Sequence, residues 1–216
     1  MNYTKKPVTR LVQAVFAVTA VCAVAAVQAR TVISEVLYDA AGTDNGNVFV
    51  ELFGTPGTLL DGLLLEGVNG TDGSVYRSVL LAGTIPADGI FVIGDDSGDG
   101  TSLVGQADLV ADIDFQNGPD SIQLRDSGGV LDALGYGDFS TAIFAGEGSA
   151  APDAAPGQSL ARFNPWLDSD NNLSDFLVLD VPSPGAVPVS AVPVPPAVLL
   201  FLSGFAGLAG IARRGS

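Results

Sequence analysis

The sequence predicts an all-β domain, a sandwich or barrel of short strands, set between two ends that are addresses rather than fold. Three observations carry this reading. Between Thr31 and Val187 no long stretch has helical period, short apolar or alternating runs recur instead, and turn-forming dipeptides separate them. A length of 216 residues leaves room for one domain of ordinary size plus targeting segments.

The first element is an N-terminal signal peptide, residues 1–29. Met1 to Arg10 is polar and basic, Leu11 to Val27 is almost wholly Ala and Val, and Val27-Gln28-Ala29 places small residues before a cut between Ala29 and Arg30. The alternative, an uncleaved membrane helix, needs ~20 apolar residues, more than this run supplies. A lipoprotein signal needs a small residue before its cysteine, and Val21 precedes Cys22. With the signal removed the chain has no thiol, so it carries no disulfide despite an oxidising compartment.

Strands are expected near Val32 to Tyr38, Val48 to Phe53, Leu63 to Val68, Val75 to Leu80, Gly89 to Ile93, Ser121 to Arg125, Leu131 to Gly135, Ser159 to Arg162 and Phe176 to Leu179. Many short strands at this spacing mean two packed sheets or a closed barrel. The dipeptides Asn69-Gly70, Asp72-Gly73, Asp88-Gly89, Asn117-Gly118 and Gly128-Gly129 fall between these runs and tolerate positive φ. Asp95 to Ala107 reads as a surface loop.

After the domain, residues 187–196 form a Pro/Val-rich linker and sorting motif, 197–212 a hydrophobic transmembrane or sorting helix, and 213–216 a basic tail. Sixteen apolar residues rise only ~24 Å as a helix, short of a ~30 Å hydrocarbon core, so the span is short or thins the bilayer. Arg213 and Arg214 belong on the cytoplasmic side, leaving the domain outside. Pro195-Pro196 isolates this stretch from the domain, which argues against a buried core helix.

Composition narrows the chemistry. Between Thr31 and Ala212 three arginines (Arg77, Arg125, Arg162) face all 24 acidic residues, a net charge of −21. Such a surface repels phosphate backbones and favours cations or basic partners. The chain has no His, and after Arg30 no Lys and no Cys. This removes Ser-His-Asp and Cys-His nucleophiles, imidazole zinc sites, lysine Schiff bases and P-loops. Carboxylate-only glycoside hydrolysis is the surviving enzymatic reading. It needs a cleft with sugar-stacking aromatics, and one Trp and four Tyr are available. The expectation is a non-enzyme.

Family patterns add to this. The tail resembles the PEP-CTERM class of bacterial sorting signals: the motif Val192-Pro193-Val194-Pro195-Pro196, a hydrophobic helix with small residues, and terminal Arg213-Arg214. Val194 stands where the class name expects Glu, a Val-Pro-x-Pro variant. The resemblance covers about the last 25 residues and implies an exosortase-like membrane protease that cleaves near the motif. The middle resembles a lamin-tail domain. Its opening strands are Ile33-Ser34-Glu35-Val36-Leu37-Tyr38, Phe49-Val50-Glu51-Leu52 and Leu60-Asp61-Gly62-Leu63-Leu64-Leu65. Its central hairpins are Ile85 to Ile93, Gly118-Pro119-Asp120-Ser121-Ile122-Gln123-Leu124 and Leu131 to Gly137, and its close is Ser159-Leu160-Ala161-Arg162, Asp175-Phe176 and Pro182-Ser183-Pro184-Gly185. That resemblance implies an immunoglobulin-like β-sandwich over residues 30–186, used as an interaction or attachment module, with no catalytic residues. The Gly/Asp-rich insertion after Ile93 is where this member's own specificity is expected.

Candidate sites are few. Asp168-Ser169-Asp170-Asn171-Asn172 alternates oxygen ligands as a calcium loop does, but Leu173 stands where an EF-hand needs Gly and Leu179 where it needs Glu. Asp95-Asp96-Ser97-Gly98-Asp99-Gly100 has the Gly but offers Gln106 at the last ligand position. Self-capping Asx turns and a solvated loop are the readings adopted, with weak millimolar calcium binding the alternative. Glu35 and Glu51 form a paired-carboxylate motif on paper; alternation places Glu35 opposite Ser34 and Val36, and Glu51 opposite Val50 and Leu52, a structural arrangement. If buried, they are expected to pair with Arg162 or a backbone amide. Trp166 is expected to cover a sandwich edge, a carbohydrate platform being the alternative.

The leading expectation is an exported module of the cell envelope, tail-anchored or released by a sorting protease, that binds extracellular polymer or protein. A calcium-dependent carbohydrate-binding domain is the rival. The residues expected to direct processing are Ala29, Arg30, Val192, Pro193, Val194, Pro195, Pro196, Arg213 and Arg214. No nucleic-acid partner and no resident cofactor are expected.

Overall fold

The computed structural model describes residues 30–186. Ten strands and one helical turn follow in order: β1 (Val32–Leu37), β2 (Phe49–Phe53), β3 (Leu64–Asn69), β4 (Val75–Leu80), β5 (Ile90–Asp95), β6 (Leu109–Ala111), β7 (Asp120–Asp126), β8 (Gly129–Tyr136), β9 (Ser159–Arg162), α1 (Asn172–Asp175) and β10 (Phe176–Leu179). The chain is therefore all-β. The strands form two sheets, a six-stranded one in the order β10-β9-β1-β2-β5-β6 and a four-stranded one in the order β4-β3-β7-β8. Every expected strand is present to within two residues at either end. The addition is β6, three half-buried residues running parallel to β5 while the other pairings are antiparallel.

Alternation builds the core between the sheets. Val50 and Leu52 of β2, Phe91 and Ile93 of β5, and Ile122 and Leu124 of β7 point to one shared apolar cluster, with Leu160 and Phe176 beside them. Tyr38 and Tyr136 stack at its end, ring centroids 4.2 Å apart. Tyr38 uses its hydroxyl rather than leaving it orphaned: it donates to Asp153 and accepts from the Ala154 amide. The opposite phase of the six-stranded sheet is apolar too. Val32, Leu37, Phe49, Phe53, Ile90 and Val92 form a second buried cluster on its outer face. Both faces of β1, β2 and β5 are thus covered, which is why these strands read as nearly continuous hydrophobic runs.

Two glycines show how tightly the loops close. Gly89 sits at φ 87° in the turn before β5, a conformation that costs a side-chain-bearing residue energy. Gly70 has an ordinary φ, but a Cβ there would meet the Pro119 carbonyl oxygen at 2.0 Å, so close approach rather than φ demands glycine.

The open edge of the four-stranded sheet at β8 is sealed. Asn172, fully buried in α1, donates its carboxamide N–H to the Ala133 carbonyl and accepts the Gly135 amide. Ala151 donates to the Gly135 carbonyl and Arg30 to the Leu131 carbonyl. At the opposite edge, β4 has no strand beyond it among the described residues.

Candidate functional site

The processing residues divide between two situations. Ala29, Val192, Pro193, Val194, Pro195, Pro196, Arg213 and Arg214 lie outside the described residues, as do the expected signal peptide and the apolar stretch 197–212. No helix among the described residues is long and apolar enough to cross a membrane. Arg30 is described and is built into the fold. Its guanidinium reaches the Leu131 carbonyl, lies 2.5 Å from Asp168 and approaches Glu147 and Asp170.

Arg30 caps a larger ionic network that closes one end of the sandwich. Arg162, the last residue of β9, keeps phase with Leu160 and so points between the sheets, where it is fully buried. Asp132 of β8 keeps phase with Leu134 and Tyr136 and meets it from the other sheet. The Arg162 guanidinium donates to both Asp132 oxygens at 2.9 and 3.2 Å, to Asp175 at 3.0 Å, to Asp168 at 3.1 Å and to the Ile33 carbonyl at 3.1 Å. Its cationic carbon lies 4.7 Å from the centre of the Phe176 ring. Every donor of the fork has a partner, the condition under which a buried ion pair holds. Asp132, Glu147 and Asp168 also bring one oxygen each within 4.8 Å of one another. Arg162 and Arg30 supply the positive charge that such a cluster requires. Glu147 is the surplus carboxyl: burial, reinforced by Asp132 and Asp168, pushes it up to about 8.

The Glu35–Glu51 pair is real, and of its two expected kinds of partner the backbone amide is found and Arg162 is not. The two residues face each other across β1 and β2 and are buried. A β-bulge between Ile33 and Glu35 breaks the simple alternation, so that Ser34 donates its hydroxyl to Glu51, across the strand from Glu35. Arg162 is not the partner of either glutamate. A strap of chain after β10 crosses the outer face instead: Ser183 donates its amide and hydroxyl to Glu35 at 2.8 and 2.7 Å, and Gly185 donates its amide to Glu51 at 2.9 Å. Ser159 completes the shell of Glu35 at 2.6 Å. Burial pushes the Glu51 carboxyl up to about 7, and Glu35 beside it adds to the shift. Gly185 also lines an open cavity of about 170 Å³ with Ile90, Val92 and Asp108, and neither glutamate is part of its lining.

The acidic loops spend their oxygens on their own backbone. Asp95 is buried and accepts the amides of Gly46 and Ile113; Asp96 accepts those of Gly98 and Gly100; Asp99 accepts both groups of Thr101. In the second loop Asp168 accepts from Arg162 and the Asp170 amide, while Asn172 turns away to plug β8. The group of three carboxylates that does converge among the described residues, Asp132, Glu147 and Asp168, takes a single residue from the second loop.

The exposed feature of this end is apolar. The connection from β9 to α1 carries Phe163, Trp166, Leu167 and, in the helical turn, Leu173, with exposures of 53, 47, 66 and 58%. Trp166 packs edge-to-face on Phe53 with centroids 4.5 Å apart, covering the outer face of the six-stranded sheet. Beside it an open cavity of about 270 Å³ is lined by Phe163, Asn164, Leu167, Ser169, Ser174 and Asp175.

No family model matches this chain, and neither a curated protein nor a solved structure matches it.

Proposed function

We propose that the chain is an exported, non-catalytic module of the cell envelope, used for structural, adhesive or interaction roles. The observation that carries the reading is the burial of the Glu35–Glu51 pair beneath Ser183 and Gly185. A domain without His, Lys or Cys after Arg30 has carboxylates, hydroxyls and a few arginines for catalysis, and its Glu35–Glu51 pair is occupied by structural donors. What remains available at the surface is a binding face on an acidic scaffold.

On this reading residues 1–29 are a signal peptide removed between Ala29 and Arg30, and the acidic domain stands outside the cytoplasm. Residues 187–216 form the PEP-CTERM-like tail, read by an exosortase-like protease at Val192 to Pro196 or kept as a membrane anchor behind Arg213-Arg214. Arg30, the residue that the proposed cut would leave first, is held by the Leu131 carbonyl and Asp168. The finer fold reading, an immunoglobulin-like sandwich of the lamin-tail kind, draws support from the two-sheet architecture and the order of its strands.

Intact mass of the protein recovered from the envelope and the medium of its native host tests this. The expected species begins at Arg30 and ends near Val192 to Pro196. A species beginning at Met1 refutes export by a cleaved signal, and one retaining Arg213-Arg214 in both fractions refutes the sorting step.

A further inference from the structure

The apolar face between β9 and α1 has no role in the fold commensurate with its exposure. Four large side chains stand at about half exposure or more on one short connection, and the cavity beneath Phe163 and Leu167 is the size of one bulky side chain. The connection is also braced from below. Asp168 and Asp175 are held by Arg162, Ser169 donates its amide and hydroxyl to Asp175, and the Trp166 and Leu167 amides donate to the side chain and carbonyl of Asn164. A binding surface that is rigid before contact loses little ordering entropy on contact.

The charge around this face selects its partner. Arg30 and Arg162 are both shared among Asp132, Asp168, Asp170 and Asp175, four carboxylates to two cations, and the whole described domain sets four arginines against 24 acidic residues. A second copy of this chain would bring equal negative charge to the contact, and an anionic lipid surface would be repelled. A glycan would find few free hydrogen-bonding groups in a cavity walled mainly by Phe163 and Leu167.

We propose that the Phe163–Leu173 face docks a cationic polypeptide segment, one bulky apolar side chain entering the cavity and flanking Lys or Arg residues meeting Asp170 and the acidic surround. This rests on the reading of the chain as a binding module and names the class of its partner. Trp166 is the single tryptophan of the chain, so its fluorescence reports on this face without competition.

The experiment selects a phage-displayed library of random 12-residue peptides on the full chain in mild detergent. The most enriched peptide is then synthesised and titrated while Trp166 emission and acrylamide quenching are followed. The expected result is a consensus of Lys or Arg around an aromatic or large aliphatic residue, a shift of Trp166 emission to shorter wavelength, and protection from quencher. Leu167→Ser and Phe163→Ser should each weaken binding ~10-fold or more, and added salt should weaken it further. Both positions are largely exposed, so melting temperature should stay near that of the parent; if Phe163→Ser fails to fold, Leu167→Ser alone decides. Enriched peptides that lack basic residues, or whose binding ignores both substitutions, overturn the proposal while leaving the module reading intact. A Trp166 response to cellohexaose, laminarihexaose or chitohexaose instead of peptide makes the face a sugar site and equally overturns it.

Discussion

Two groups of buried carboxylates hold this domain together, and they are stabilised in opposite ways. At one end of the sandwich Asp132, Asp168 and Asp175 converge on the guanidinium of Arg162. On the outer face of the six-stranded sheet Glu35 and Glu51 sit side by side with no cation, held by hydroxyls and by the amides of Ser183 and Gly185. A fixed positive charge offsets the first group, opposing the burial that raises the Asp132 carboxyl. Neutral donors do less, so in the second group Glu51 retains a proton to about pH 7. Where a sequence has few arginines to distribute, the proton becomes the second counter-ion.

The largest test removes the cation. Arg162→Ala leaves three buried carboxylates facing one another and should destabilise the fold by about 3–5 kcal/mol, or prevent folding at 37 °C. Thermal melting and soluble yield check this; a loss below about 1 kcal/mol would mean that water replaces the guanidinium and that the two groups differ less than their geometry indicates.

The next effect is pH. Glu51 and Glu147 hold their protons more tightly in the fold than in the unfolded chain. Their contribution is therefore complete below about pH 4.5 and is lost as pH rises through 7 for Glu51 and through 8 for Glu147. Stability should fall between about pH 5 and pH 8 by on the order of 2–3 kcal/mol, several degrees in melting temperature, and level off above that. Glu51→Gln should flatten the lower part of that decline and Glu147→Gln the upper part. A melting temperature unchanged across this range contradicts the protonated state assigned to Glu51.

The smallest effect falls on the strap. Ser183→Ala deletes one hydroxyl bond to Glu35 and keeps the amide bond, so it should cost about 1 kcal/mol. Hydrogen exchange at Gly185 should speed up while that of β7 amides stays unchanged; uniform acceleration would show that the strap opens only with the whole domain.

Much of the fold was legible because alternation and turn chemistry are local. β1, β2 and β5 were visible as apolar runs, Asp72-Gly73 marked the turn from β3 to β4 and Asp88-Gly89 the turn into β5. β6 was not, because three half-buried residues after a Gly-rich loop carry no period. The Arg162 network was half legible: Asp132 falls in phase with Leu134 and Tyr136, which places a carboxylate inward, yet its partner lies on another sheet. Glu35 and Glu51 were read as structural, but apart from Ser34 their donors come from residues well over a hundred positions away, and the bulge at Ser34 has no signature in sequence. Asn172 was read as part of a self-capping Asx turn, with a calcium loop as the alternative. Only the folded chain shows that its carboxamide occupies the place of a neighbouring strand.

That substitution of one side chain for a strand has a consequence for assembly. A sheet with two free edges can add copies without limit, which is how fibres grow. Here the β8 edge offers its outward carbonyls and amide to Asn172, Arg30 and Ala151, and β4 alone is left unpaired in its sheet among the described residues. Two copies joined through β4 would present a capped β8 at both outer ends. Strand addition to this sheet is therefore open at β4 and obstructed at Ala133 to Gly135 of β8, where Asn172 already holds the outward groups.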